Sequence, residues 1–294
     1  MAYRCMLLFA AGLALSFTAE ANDNTATFKP DASCDEALAQ LKQLIKTARP
    51  NRPGDDSPPT QRQTELVQRM AKSTTADQLN GYGMRCHKQK RFEDSAKLFE
   101  WATAMDPKHA LAHYNLACAW ARLREAGHSP CGDVAAYTDE IVSRVNKAVQ
   151  LDSKRAERVW VDPDLNSLHN LLGIRLAAMG QPNSPADMAA LFDGVELWGD
   201  TPGVALLAHI TFKRTNPGAL TGTVSGWKAS EAEFDGIQVQ GTWRADADSV
   251  TVDWATPSVL IVPGYSNATE NIKLNELDAG GESRWFTSPD ECSA

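Results

Sequence analysis

Residues Leu79 to Leu123 read LNGYGMRCHKQKRFEDSAKLFEWATAMDPKHALAHYNLACAWARL, and the rest of the chain is arranged around them. Asp106-Pro107 punctuates the stretch. Proline has no N–H to donate and its ring clashes with the preceding turn, so a helix ends there. A step of thirty-four residues carries Gly83 onto Ala117, Tyr82 onto Leu116 and Cys86 onto Trp120. Two helices approach to about 8–10 Å only where the side chains between them are small. Gly83 and Ala117 therefore mark the crossings of two successive helical hairpins. In the first hairpin Phe92 opens the second helix, Ser95 and Phe99 face inward, and Ala102 is a second close-approach position.

A thirty-four-residue period with small residues at crossings, aromatics between them and a terminal proline resembles the tetratricopeptide (TPR) family. The first unit departs from the family pattern at Leu79, where Trp is usual, and at Cys86, where Tyr is usual; the second departs at His113. The second unit's second helix is displaced. Ile141, Val145, Ala148 and Leu151-Asp152 fit once about a dozen residues are inserted around REAGHSPCGDVA. Asp162-Pro163-Asp164-Leu165 resembles short segments that trail many bacterial TPR arrays. The resemblance implies a peptide-holding groove lined by the first helices, and places Asn80, Met84, Lys88, Tyr114, Asn115 and Arg122 on it. Asn115 stands out, because a carboxamide can bond both groups of an extended peptide backbone. At about 100° per residue it points away from the inward-facing Leu116 and Ala117. The expectation is a solvated Asn115 on the concave side, whose change to Ala weakens partner binding and spares folding.

Length and composition bound the remaining choices. The chain has 294 residues, 43% hydrophobic and 22% charged, an ordinary globular balance for about two domains. Its net charge of −8 with scattered acidic residues argues against nucleic acid, which requires a basic face. Residues 1–21, MAYRCMLLFAAGLALSFTAEA, combine Arg4, an apolar run to Phe17 and small residues at Ala19 and Ala21. That is the pattern of a secretory signal peptide, with a mature start at Asn22 and a periplasmic or secreted destination. The run is too short to span a membrane, and no later run approaches 18 apolar residues. Outside the cytosol thiols pair and persist. Beyond Cys5 the chain carries Cys34, Cys86, Cys118, Cys131 and Cys292, an odd number without a CxxC spacing. Cys118 and Cys131 are the candidate disulfide, since they are nearest in sequence. Buried free thiols are the alternative.

Residues 22–78 read as N-terminal helices and a proline-rich linker. A helix from Cys34 to about Thr47 has Leu38, Leu41 and Ile45 on one face; ARPNRPGDDSPPTQ forbids helical pairing; a short helix follows over Gln61 to Lys72. Such elements cover the open end of a repeat array. Residues 79–180 form the TPR-like helical domain, with Asp162-Pro163 as a helix start and a break at Gln181 to Pro185. Residues 190–294 change to a period of two: Val204 to Phe212, Ile237 to Trp243 and Val250 to Trp254 alternate apolar with polar. With Thr221 to Trp227, Val259 to Val262, Ile272 to Leu274 and Arg284 to Thr287 this makes about seven strands. Asp235-Gly236 reads as a tight hairpin and Asp246 to Asp248 as another turn. The expected fold class is α + β in separate domains, a helical hairpin array followed by a small antiparallel β-barrel or β-sandwich.

Catalytic constellations are weak. His109 and His113 stand four apart on one helix, with His128 and Cys131 as further metal-ligand candidates, yet Ala110 replaces the Glu of HExxH and both histidines read as packing or helix-start residues. No metal is therefore assigned. Gly264 to Ala268 approximates a nucleophile elbow but lacks the strand–turn–helix context, and no glycine-rich phosphate loop calls for a cofactor. Trp243 and Trp254 read as core, Trp198 and Trp227 as edge residues able to contact a glycan, lipid or peptide. The expected function is that of an exported, non-catalytic scaffold binding a protein or peptide partner. The alternative is an envelope protein holding a small ligand in its β-domain. The barrel interior discriminates them: filled it is a scaffold, hollow a pocket.

Overall fold

The computed structural model describes residues 32–48, 64, 66–68, 70–72, 74–126, 135–201, 204–230, 233–255, 269–277 and 285–286. The leader, the proline-rich linker, His128 and Cys131, Val259 to Val262, Gly264 to Ala268 and Cys292 lie outside them. The helical half comprises α1 (Cys34–Ala48), α2 (Ala76–Lys88), α3 (Phe92–Met105), α4 (Ala110–Glu125), α5 (Ala135–Leu151), α6 (Arg155–Val159), a 3₁₀ turn over Pro163–Leu168, α7 (Leu172–Met179) and α8 (Pro185–Phe192). Among the described residues no helix is long and apolar enough to cross a membrane.

Local chemistry sets the helix ends. Thr75 and Gln78 form a reciprocal capping box at the start of α2, which satisfies two otherwise orphaned N–H groups. Pro107 stops α3 before it can continue, and the His109 ring nitrogen Nδ1 accepts from Ala112 N at 3.2 Å to cap α4. Successive helices then fold back on one another from α2 to α5. The α2–α3 crossing rests on Gly83, where an added Cβ would stand 2.4 Å from Phe99 Cε1. Ala102 and Ala117 are fully buried.

The N-terminal helix closes one end of this stack. Ala37, Leu38 and Leu41 share a core with Leu79, Tyr82, Leu98 and Ala102. Cys34 and Cys86 form a disulfide across it, Arg85 Nη1 donates to Ala32 O, and Arg91 pairs with Asp35. Cys118, expected as one half of a disulfide with Cys131, is a buried free thiol on the face of α4 that meets residues 162–164, and Cys131 lies outside the described residues.

The C-terminal half is a curled antiparallel sheet, a half-barrel, of β1 (Glu196–Thr201), β2 (Val204–Arg214), β3 (Thr221–Ser230), β4 (Glu233–Ala245), β5 (Ser249–Trp254), β6 (Thr269–Lys273) and β7 (Trp285–Phe286). The order is β6-β5-β4-β3-β2-β1-β7, a meander in which β7 returns beside β1. The described strands thus form one ladder and not two stacked sheets. The turn at Asp246 to Ser249 is present, with Asp246 N donating to Ser249 O at 2.9 Å. The hairpin expected at Asp235-Gly236 is displaced: Ser230 pairs with Glu233, and both residues lie within β4. The β3–β4 register, which pairs Val224 with Gly241 and Gly222 with Trp243, overrides the local turn preference.

The inner face of the sheet is filled among the described residues. Phe192 of α8 meets Phe212 edge-on at 5.2 Å, and Phe212 meets Trp243 at 6.0 Å. Val224, Val239, Val250, Val252 and Ile272 complete the layer. Gly222 makes room for the Trp243 indole, whose Nε1 donates to Thr223 O at 3.1 Å. The halves are joined through α7, which is no bare linker. Ile174 and Ala177 lie in the helical core, while Leu172 belongs to the sheet core with Leu176 against it. Trp198 of β1 packs on the helical side, and Glu196 N donates to Asn170 O at 3.0 Å.

Candidate binding face

The face formed by α2 and α4 holds a segment of its own chain. Asp162 caps the 3₁₀ turn by accepting from Asp164 N at 3.1 Å, with Pro163 pre-set for the first helical position. Leu165 and Leu168 are fully buried in the helical core. This anchoring brings two carboxylates against the middle of α4. Tyr114 Oη donates to Asp162 Oδ2 at 3.2 Å, and Arg158 Nη2 lies 3.7 Å from the same oxygen. Asp164 sits 3.3 Å from His87 Nε2 and 3.7 Å from Arg122 Nε. The Arg122 guanidinium also pairs with Glu125 and lies over the Phe92 ring at 5.5 Å, and Phe92 meets the His87 ring at 5.1 Å. The Cys118 thiol completes the cluster: a ligand atom from Cys118, Asp162 and Asp164 can be chosen so that all three lie within 4.8 Å of one another.

Burial governs the protonation of this cluster. It pushes the Cys118 thiol well above its ordinary value, and the charges of Asp162 and Asp164 push it further. Tyr114 is raised for the same reasons, burial first and then Cys118 and Asp162. Burial also raises Asp164, against the opposing pull of His87. His87 is lowered by burial more than Asp164 and Asp162 raise it. Cys118, Tyr114 and Asp164 are thus held toward their protonated forms, beside an imidazole held toward its neutral form.

The residues expected on the groove are distributed differently. Tyr114 and Arg122 face the acidic segment, as just described. Met84 is half-buried against the helical core and Lys88 is exposed at the end of α2. Asn115 is not solvated: it is 8% exposed, Asn80 is 6% exposed, and Asn115 Nδ2 donates to Asn80 Oδ1 at 2.8 Å. Pointing away from Leu116 and Ala117 did not mean pointing to water, because α4 is covered on that side too. His109 and His113 do not converge. His109 Nε2 is 2.9 Å from Asp77 Oδ1, whereas His113 Nε2 is 3.0 Å from Pro107 O. In the sheet, Trp243 and Trp254 are buried, and Trp198 stacks on His209 at 5.2 Å.

No protein-family model matches this chain, and no curated protein is similar enough to it to count as a relative. The cluster itself escaped the sequence reading. Asp162 and Asp164 read only as a helix cap, His87 as an ordinary helix residue and Cys118 as a disulfide candidate or core thiol. Forty-four residues separate Cys118 from Asp162, and nothing in that spacing announces a contact.

Proposed function

We propose that this chain is an exported, non-catalytic interaction scaffold of the TPR kind that binds a protein or peptide partner through its helical half. One observation carries the reading: the face made by α2 and α4 already grips the acidic start of the 3₁₀ turn, with Tyr114 on Asp162 and His87 and Arg122 on Asp164. The grip on Asp162 and Asp164 is recognition of two carboxylates by side chains from two helices, the kind of contact such a groove would make with an acidic partner. Small residues at Gly83 and Ala117, thirty-four residues apart and both at tight packing positions, favour the same family. The Cys34–Cys86 disulfide favours an oxidising compartment.

Leu165 and Leu168 anchor the resident segment in the core, so a partner engages the part of the groove left open, along α2 at Met84 and Lys88. Among the described residues Phe192, Phe212 and Trp243 occupy the sheet's inner face, which favours the scaffold reading over the small-ligand alternative. The test is quantitative recovery of envelope proteins by the exported chain and by Met84→Ala/Lys88→Glu. A specific partner recovered by the wild type and reduced at least several-fold by the double variant supports the reading. Equal recovery by both overturns the α2 surface, and recovery of no specific partner overturns the scaffold.

A further inference from the structure

We propose that Cys118, Asp162 and Asp164, with His87 at their edge, form a binding site for one divalent transition-metal ion of the zinc class. The donors come from three separate elements: α2, α4 and the turn that opens the 3₁₀ segment. One ligand atom from each of Cys118, Asp162 and Asp164 lies within 4.8 Å of the others. A tetrahedral ion at about 2.0–2.3 Å from N, O and S donors holds its ligands roughly 3.3–3.8 Å apart, so the three would close in by up to about 1–1.5 Å on binding. His87 Nε2 lies 3.3 Å from Asp164 Oδ2 and is buried without a hydrogen bond. It stands at the edge of the set, outside the three residues that share the 4.8 Å limit, and a fourth coordination position is filled by it only if the ring moves inward, or else by water.

Two features separate this cluster from an ordinary acidic patch. The first is Cys118 itself, only 5% exposed and not disulfide-bonded, with its sulfur directed at the two carboxylates. A protonated thiol there can at most donate one weak S–H bond to a carboxylate, whereas as a thiolate the same sulfur is a soft donor in a mixed ligand set. The second is the presence of supporting groups that orient such ligands. Tyr114 Oη fixes Asp162 at 3.2 Å, and Arg122 Nε stands 3.7 Å from Asp164.

The charge balance agrees. A dication with a thiolate, two carboxylates and a neutral imidazole carries one net negative charge, which Arg122 or Arg158 matches. Binding releases the Cys118 proton and reverses the anion crowding around Tyr114, Asp164 and Cys118. The thiol sets the class of ion. Magnesium and calcium take all-oxygen shells, whereas Cys, His and Asp together suit zinc or cobalt(II). The consequence is structural: the ion clasps residues 162–164 onto α4, at the place where the chain leaves its helical stack. This assignment does not depend on any partner.

The test uses the full chain, stripped with a chelator and dialysed against zinc, with cobalt(II) as the spectroscopic probe. The expected result is one zinc per chain. Cys118→Ala and Asp164→Asn should each bind at least tenfold more weakly, and the sulfur-to-cobalt charge-transfer band should vanish in Cys118→Ala. Circular dichroism reports whether each variant keeps its helices. Should Cys118→Ala misfold, the wild-type cobalt band and the Asp164→Asn affinity decide. Failure of the wild type to retain zinc, undiminished binding by folded variants, or a cobalt complex without the sulfur band overturns the site.

Discussion

Gly81 and Gly83 share one turn of α2 but stand about 200° apart around it, one exposed and one buried, so the same substitution at each isolates the cost of the helix crossing. A Cβ on Gly83 would stand 2.4, 2.6 and 2.9 Å from Phe99 Cε1, Cδ1 and Cζ, whereas a Cβ on Gly81 meets nothing within 4 Å. Ordinary carbon contacts lie at about 3.5–4.0 Å, so the Phe99 ring or the helix must withdraw by roughly 1 Å. The ring is fully buried, so it cannot withdraw into solvent. Overpacking of this kind costs about 1–3 kcal/mol, and Ala gains about 1 kcal/mol over Gly in helix propensity. Gly81→Ala should therefore stabilise by about 1 kcal/mol, and Gly83→Ala should fall about 1–3 kcal/mol below it. Urea titration followed by circular dichroism measures both. Gly83→Ala/Phe99→Leu adds a third arm, because trimming the ring relieves the clash and the two changes should couple favourably by about 0.5–3 kcal/mol. If Gly83→Ala stabilises as much as Gly81→Ala, or if the double variant is merely additive, the crossing is not where Gly83 and Phe99 put it.

Three further outcomes are expected. Cys86→Ser removes a disulfide spanning 52 residues; loop-entropy arithmetic for that span gives about 4 kcal/mol, read as a drop in urea midpoint that a reductant reproduces in the wild type and not in the variant. Asn115→Ala leaves the buried Asn80 carboxamide oxygen without its donor and should destabilise by about 1–3 kcal/mol; Asn80→Ala/Asn115→Ala should cost less than the sum of the single changes, and strict additivity would argue against the amide pair. Stability should also fall on mild acidification of chelator-treated protein. Burial lowers His87 and His113, so the native state binds fewer protons than the unfolded chain. Their contribution is complete above about pH 6.5 and is lost as pH falls through the lowered values. Asp164 and Glu100, both raised by burial, act in the opposite sense at lower pH: their contribution is present below the ordinary carboxylate range and is lost as pH rises through the raised values. Melting temperatures from pH 7.5 to 5.5 should decline, His87→Asn should flatten the decline, and a flat wild-type profile would contradict the burial of both rings.

The sequence by itself determined the elements whose information is local. Pro107 stopping α3, Pro163 opening the next helical segment, and Gly83 beneath Phe99 follow from backbone sterics and side-chain size, whereas the helix that Pro185 opens was read only as a break. The period of two in Val250 to Trp254 marked a strand just as locally, although the packed structure buries Ser249 and Thr251 as well as the apolar positions. Tertiary structure decided wherever two distant segments had to meet. The β3–β4 turn moved off Asp235-Gly236 because the ladder register is set along the whole strand. Asn115 was buried because α2 meets that side of α4 and brings Asn80 onto it. Cys34 found Cys86, and Cys118 found Asp162 and Asp164, through the packing of α1 on α2 and of the 3₁₀ turn on α4. Periodicity along a chain says which face of an element is apolar; it carries no record of which other element will cover the remaining face, and the candidate site was assembled on such a face.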